Sequence, residues 1–521
     1  MDRLFFDSIL LIFVLNLCFA LMGLGLTTQK LSRDDFPPKP HFVFGSGTSA
    51  FQVEGAEAED GRTPSIWDGV AQSVKNERGV DCCDGYHKYK EDVQLMVATG
   101  LEAYRFSISW SRLIPNGRGS VNPKGLQFYN NFINELVSNG IQPHATLIHY
   151  DLPQALEDEY GGWLNGKIVK DFTAYADVCF REFGDRVSYW VTINEANVYA
   201  LGAYDLGIFP PRRCSAPFGI SCKAGNSSTE PYIVAHNALL AHASAARLYK
   251  RKYQLTQQGF IGFNIFMYRF VPFTNATKDA IATQRAYDFY VGWFMDPLVF
   301  GDYPDVVKRN AGTRIPSFTP EESKLVKGSW DFFGLNHYNT LYVRDDLDRL
   351  KMKQRDFSMD MAVKLILDWD GVPPGEFPID PYGTRICLEY IKQHYGNPPV
   401  FIHENGQKTF RNASLNDASR MKYLESYIGS MLEAMRNGSN TKGYFTWSFM
   451  DLFELFGGYE SSYGLYYVDL DNPNLTRYPK LSAHWYSSFL KGGRTNPREM
   501  AVVEKDSFLH SKTSYASYFD Q

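Results

Sequence analysis

The sequence predicts one α/β domain, a single (β/α)8 TIM barrel with long active-site loops. Three observations predict it. Eight strand-like apolar runs recur along the 521 residues, amphipathic helical patterns lie between them, and nearly every run ends in a side chain able to do chemistry. Strand–helix alternation implies a parallel sheet. Eight such units close into a barrel, whose working face is the C-terminal ends of its strands. The chain is long for one domain, but barrels of this kind exceed 250 residues as one unit.

The runs are residues 42–52, 101–109, 141–149, 188–194, 260–267, 330–338, 399–404 and 443–449. The clearest helix lies between the second and third. Leu126, Tyr129, Phe132, Ile133, Leu136 and Val137 recur at helical spacing and form one apolar stripe. Gly140 ends that helix. The residues at the run ends are Gln52, Arg105, His149, Asn194 with Glu195, Asn336 with Tyr338, Glu404, and Trp447. Ordinary turns would supply Ser, Gly and Asp instead. The long segments 53–81, 205–229 and 341–380 then become loops around the site.

Composition sets the class. Hydrophobic residues are 44% of the chain, enough for a large core. The 53 basic and 58 acidic residues are well mixed and leave a net charge of −5, with no footprint for nucleic acid. Residues 9–26 carry no charge, follow Arg3 and end in small residues, which fits a signal peptide over 1–27; an uncleaved anchor is the alternative. A short lead (28–35), the barrel (36–492) and a tail (493–521) follow. No membrane contact is expected after cleavage, and the destination is extracellular, cell wall or vacuole. Five N-x-S/T sequons stand at Asn226, Asn275, Asn412, Asn437 and Asn474. Of seven cysteines, Cys214 and Cys222 bracket a short Pro/Ser/Gly-rich segment and are expected to form a disulfide, while Cys179 and Cys387 fall in helical patterns as free core residues. No cysteine pairing has zinc spacing.

Two carboxyls carry the chemistry. Retaining glycoside hydrolysis needs a pair about 5–5.5 Å apart, one as nucleophile and one as acid and then base. Glu195 and Glu404 each follow an apolar strand directly, the fourth and the seventh. Glu is rarely buried without a partner, so its repeated placement there is a functional signal. No metal or organic cofactor is needed, because side chains supply acid, base and nucleophile.

Trp190-Val-Thr-Ile-Asn-Glu195 resembles the T-x-N-E-P motif of glycoside hydrolase family 1, and Ile402-His-Glu-Asn-Gly406 resembles its I/V-T-E-N-G motif. Phe44-Gly-Ser-Gly-Thr-Ser-Ala-Phe-Gln-Val-Glu-Gly55, Tyr104-Arg-Phe-Ser-Ile-Ser-Trp-Ser-Arg112 and Gly443-Tyr-Phe-Thr-Trp-Ser-Phe-Met-Asp451 resemble further blocks of that family. The nearest likeness is to plant β-glucosidases, in the subgroup reading Ile-His-Glu-Asn-Gly-Gln and Asp-Leu-Phe-Glu-Leu. The resemblance implies Glu404 as nucleophile and Glu195 as acid/base, with Arg105 and Tyr338 contacting the nucleophile. It implies Asn194 on the sugar 2-OH, and Gln52, His149 and Glu454 on the outer hydroxyls. Trp447 becomes the aromatic floor, with Asn336, Tyr338 and Tyr463 also at the substrate.

Five positions depart from the family pattern. Ala196 replaces a proline after the acid/base, and its loss is expected to loosen that turn. His403 replaces threonine and either adds a titratable donor beside Glu404 or faces outward. Leu455 replaces a sugar-binding tryptophan, and Tyr463 replaces a phenylalanine. Glu376 aligns with a tryptophan on the aglycone wall. The primary expectation is a retaining β-glucosidase acting on a small β-glucoside. The alternatives are a transglucosidase using glucose esters or glucosides, a hydroxyisourate hydrolase-like activity, and a non-catalytic sugar-binding barrel. Both glutamates being present argues against the last.

Overall fold

The computed structural model describes residues 31–70, 83–220 and 222–493. The expected leader, Cys18, Cys82 and nearly all of the C-terminal tail lie outside the described residues. Eight parallel strands close into one barrel. They are β1 Val43–Gly47, β2 Ala103–Ser107, β3 Gln142–Ile148, β4 Tyr189–Ile193, β5 Phe260–Phe266, β6 Phe332–Asn336, β7 Val400–Asn405 and β8 Thr441–Trp447. The first six fall inside their apolar runs, while β7 runs one residue past its run and β8 starts two residues before its own. Closure is between the first and last strands, where Gly47 pairs with both Trp447 and Arg105.

Helices cover the outside: α1 Gly85–Thr99, α2 Pro123–Ser138, α3 Lys167–Phe183, α4 Glu230–Lys252, α5 Trp293–Phe300, α6 Tyr382–Tyr395, α7 Ala418–Arg436 and α8 Leu481–Leu490. Helix α2 starts with an Asn122 cap and Pro123 in its first turn, and Gly140 follows its end at φ 73°. Its buried face is Phe128, Tyr129, Ile133 and Leu136. Val137, placed on the stripe by spacing, is 42% exposed instead, and Phe128 takes up the face.

The barrel interior is a filled core of Val43, Ala103, Val191, Phe332, Phe401 and Phe445, with Tyr189 packed against it. A much larger apolar layer lies between strands and helices. Two expectations change. Gln52 does not end a strand; it sits on the helical turn Ala50–Val53 that follows β1. His403 neither faces outward nor donates to Glu404. Its ring points into the barrel, fully buried, 5.6 Å from Phe401 and 5.7 Å from His144. The glycine at 334 on β6 opens that space, since a Cβ there would lie 2.3 Å from His403 Nδ1.

Cys214 and Cys222 are bonded, as expected, and Cys179 and Cys387 are free and buried. All five sequon asparagines are exposed. Among the described residues no helix is long and apolar enough to cross a membrane, and no group of His, Cys, Asp and Glu could hold a metal.

Candidate active site

A cavity of about 440 Å³ opens at the C-terminal ends of the strands. Gln52, His149, Glu195, Tyr338, Glu404, Trp447, Glu454 and Tyr463 all line it. Residues far apart in sequence meet here because parallel strands present their ends on one face. Three other sequence candidates, Arg105, Asn194 and Asn336, stand behind this wall, buried and engaged with one another.

Arg105 is the hub. Its Nη1 donates to Glu404 Oε1 over 2.5 Å and its Nη2 to Asn194 Oδ1 over 2.5 Å. Tyr338 Oη donates to Glu404 Oε2 at 2.9 Å. Both oxygens of Glu404 therefore receive strong donors, one of them a fixed cation. Glu195 is held differently. Asn336 Nδ2 donates to its Oε1 at 2.8 Å, Tyr150 Oη donates to its Oε2 at 2.6 Å, and its backbone N–H donates to Asn264 Oδ1 at 3.1 Å. Asn264 in turn donates to Asn336 Oδ1, which fixes the amide's orientation. Asn194 Nδ2 lies 3.1 Å from His149 Nε2.

These environments split the two carboxyls. Burial pushes both above the ordinary carboxylate range. The negative charge of Glu404 pushes Glu195 further up. Arg105 and the Tyr338 hydroxyl pull Glu404 back down. Glu404 is thus the first to ionise, and Glu195 keeps a proton to give. Burial, reinforced by Arg105, lowers the pKa of His149 far below the usual imidazole value, so its ring is neutral. Trp447 lies 5.6 Å from the His149 ring at 19°, an apolar face at the cavity base.

The turn after β4 aims Glu195. The residue has φ 38°, a left-handed conformation uncommon for a side chain of this size, and the helix Ala196–Tyr204 starts immediately after it. Ala196 leaves this turn intact, because the Tyr199 amide bonds the Glu195 carbonyl at 3.0 Å and closes the first helical turn. After β7, Gly406 is required, since a Cβ would come within 1.9 Å of the Trp447 carbonyl oxygen.

The outer wall is apolar and aromatic, with Val198, Leu201, Ile208, Phe266, Tyr268 and Phe377 among its residues. Leu455 lines the cavity, so that departure does touch the substrate space. Glu376 does not. It accepts from Ser419 Oγ and Gln407 Nε2 in a separate cleft, and its neighbour Phe377 supplies the wall. Sequence reading also missed Asn264 and Tyr150. A lone Asn inside the apolar β5, and an aromatic directly after His149 at a strand end, were the available signals.

A carboxylate clamped by a cation, a second carboxyl that holds its proton, and a sugar-sized cavity on an aromatic base together define a glycoside hydrolase. Residues 32–494 match the family model for glycosyl hydrolase family 1, and the chain belongs to that family. It is 57% identical to Beta-glucosidase 11 of Arabidopsis thaliana over 506 residues, covering 92% of this chain and 97% of that protein. It is 55% identical to Hydroxyisourate hydrolase of Glycine max, covering 98% and 91%. Identity is 54% to Cyanidin 3-O-glucoside 7-O-glucosyltransferase (acyl-glucose) of Delphinium grandiflorum, covering 91% of this chain and 93% of that protein. A rice β-glucosidase, solved as a Glu-to-Gln mutant in covalent complex with glucose, superposes with a TM-score of 0.83 at 44% identity, covering 88% of this chain and 99% of that one.

Proposed function

We propose that the protein is a retaining β-glucosidase that removes terminal β-D-glucosyl residues through a covalent glycosyl-enzyme. The observation that carries this reading is the asymmetry of the two carboxyls, with Arg105 on Glu404 alone. Glu404, kept ionised, attacks the anomeric carbon, while Glu195 protonates the departing oxygen. Glu195, now ionised, takes a proton from water, which displaces the sugar from Glu404. Gln52, His149, Asn194, Glu454 and Tyr463 hold the sugar hydroxyls, and Trp447 lies under the ring. No cofactor takes part in this scheme.

A second reading is favoured by the relative that transfers glucose from an acyl-glucose donor. The same glycosyl-enzyme would be resolved by an acceptor hydroxyl on the apolar outer wall. A hydroxyisourate-like activity, which the soybean relative is named for, fits the cavity less well, since among the described residues no lysine or arginine lines it to meet an anionic ring. A product assay separates the three. Purified protein is given an aryl glucoside, a glucose ester and hydroxyisourate, each with and without a phenolic acceptor. Free glucose as the main product supports the hydrolase; dominant transfer at low acceptor, or turnover of hydroxyisourate alone, overturns it.

The same reading places the protein in the secretory pathway, with residues 1–27 as its leader, 36–492 as its barrel and glycans on exposed sequons. The apolar leader pattern, the Cys214–Cys222 bond and the exposure of all five asparagines support it. Its destination on this reading is the extracellular space or cell wall, or the vacuole.

A further inference from the structure

Glu195 must serve two opposite roles, giving a proton in the first half-reaction and taking one in the second. Its environment contains a donor that the scheme above does not use. Tyr150 follows β3, is 4% exposed, and adopts φ 72°, a left-handed conformation that turns its ring toward the site. The ring stacks on Tyr199 at 5.1 Å and 19°, and packs on Phe209 at 5.7 Å. Its hydroxyl donates to Glu195 Oε2 at 2.6 Å.

We propose that Tyr150 is a positioning residue for Glu195, whose phenol O–H fixes the carboxyl toward the cavity and favours its ionised form, thereby assisting the base half-reaction. This rests on the acid/base role assigned to Glu195 above. The phenol cannot act as the acid itself. Burial and the adjacent carboxylate raise its own ionisation well above the ordinary phenol value, so it stays a donor.

The other groups facing Glu195 do not supply this interaction. Glu404 on β7 opposes ionisation and Arg105 on β2 favours it. Tyr338 beyond β6 spends its hydroxyl on Glu404, and Tyr268, Tyr290 and Tyr463 stay uncharged because burial pushes each phenol up. Asn336 donates to the other oxygen, Oε1. Tyr150 is therefore the hydroxyl donor on Oε2, and it balances burial and the Glu404 charge.

The test is Tyr150→Phe, which keeps the ring and its stacking. The basic limb of kcat/KM against pH is expected to move up by about half to one unit, because the protonated acid loses a competitor. With a dinitrophenyl glucoside, whose turnover waits on the second step, kcat at neutral pH is expected to fall about tenfold. Tyr199→Phe, which keeps the stack without touching Glu195, is expected to leave the limb in place. A limb that stays put in Tyr150→Phe, with activity lowered evenly at all pH values, overturns the proposal and leaves Tyr150 a packing residue. Glu195→Ala separates the two readings. If that variant keeps a basic limb, the acid/base assignment itself has failed, whatever Tyr150 does.

Discussion

Arg105 places one guanidinium nitrogen on Glu404 and another on Asn194, both at 2.5 Å, and is itself 1% exposed. One buried cation thus ties a carboxylate at the end of β7 to an amide after β4. Its removal exposes both to change. Arg105→Met is expected to lower kcat/KM by at least about a hundredfold, the scale at which a preorganised electrostatic partner acts. The sign of the pH effect is set by charge. Arg105 lowers the Glu404 pKa, so losing it raises that pKa and moves the acidic limb of kcat/KM to higher pH. A pH–rate series on the folded variant reads both.

The two carboxyls make distinguishable defects. Glu404→Gln is expected to reduce aryl-glucoside turnover by about four orders of magnitude or more with its thermal transition retained. Glu195→Ala is expected to lose about 10²–10⁴-fold, and to recover with azide, which needs no base to attack the glycosyl-enzyme. Mass spectrometry of a slow fluoroglucoside adduct should place the label on Glu404. Full activity in the Gln variant would end the mechanism.

His403 gives a stability prediction. Burial first, then Arg105 and His144, holds its pKa well below 6.5. The unfolded imidazole takes a proton near pH 6.5 that the folded one refuses, so stability falls as pH drops below that value. His403→Thr removes part of this loss. Denaturant midpoints should fall less steeply between pH 6.5 and 4 than in the parent, with the slope from buried His144 and His242 persisting. At neutral pH the emptied space is expected to cost about 1–3 kcal/mol. The limbs of the activity profile should not move.

Lys480 is buried, and its Nζ donates to Asp451 at 2.7 Å, Ser462 at 2.8 Å and the Gly464 carbonyl at 3.0 Å. It anchors the loop that carries Glu454 and Tyr463 into the cavity. Lys480→Met removes the ion-pair partner of the fully buried Asp451, leaving it only the Ser462 hydroxyl and the Gly464 amide as donors, and is expected to cost about 3–5 kcal/mol. Equilibrium unfolding measures this. A rise in KM exceeding any fall in kcat would report the loosened sugar contacts.

The barrel was legible because its signals are periodic and local. A buried parallel strand needs a continuous apolar run, and each run predicted a strand that the structure contains. The two glutamates were legible because an acid directly after such a run contradicts its surroundings. Local patterns also placed the Cys214–Cys222 bond. What the sequence could not decide were relations across the barrel. His403 lies on β7, and that its ring faces the barrel interior beside Phe401, in space that Gly334 leaves open, shows only in the closed barrel. Glu376 sits beside Phe377 in the chain, yet one side chain turns to Ser419 and the other to the cavity. Tyr150 and Asn264 reach Glu195 from neighbouring strands, β3 and β5. The sequence alone therefore determined the fold, the pair of carboxyls and the face they share. The tertiary structure decided which carboxyl is charged, because burial and the reach of Arg105 are properties of the closed barrel and of no single segment.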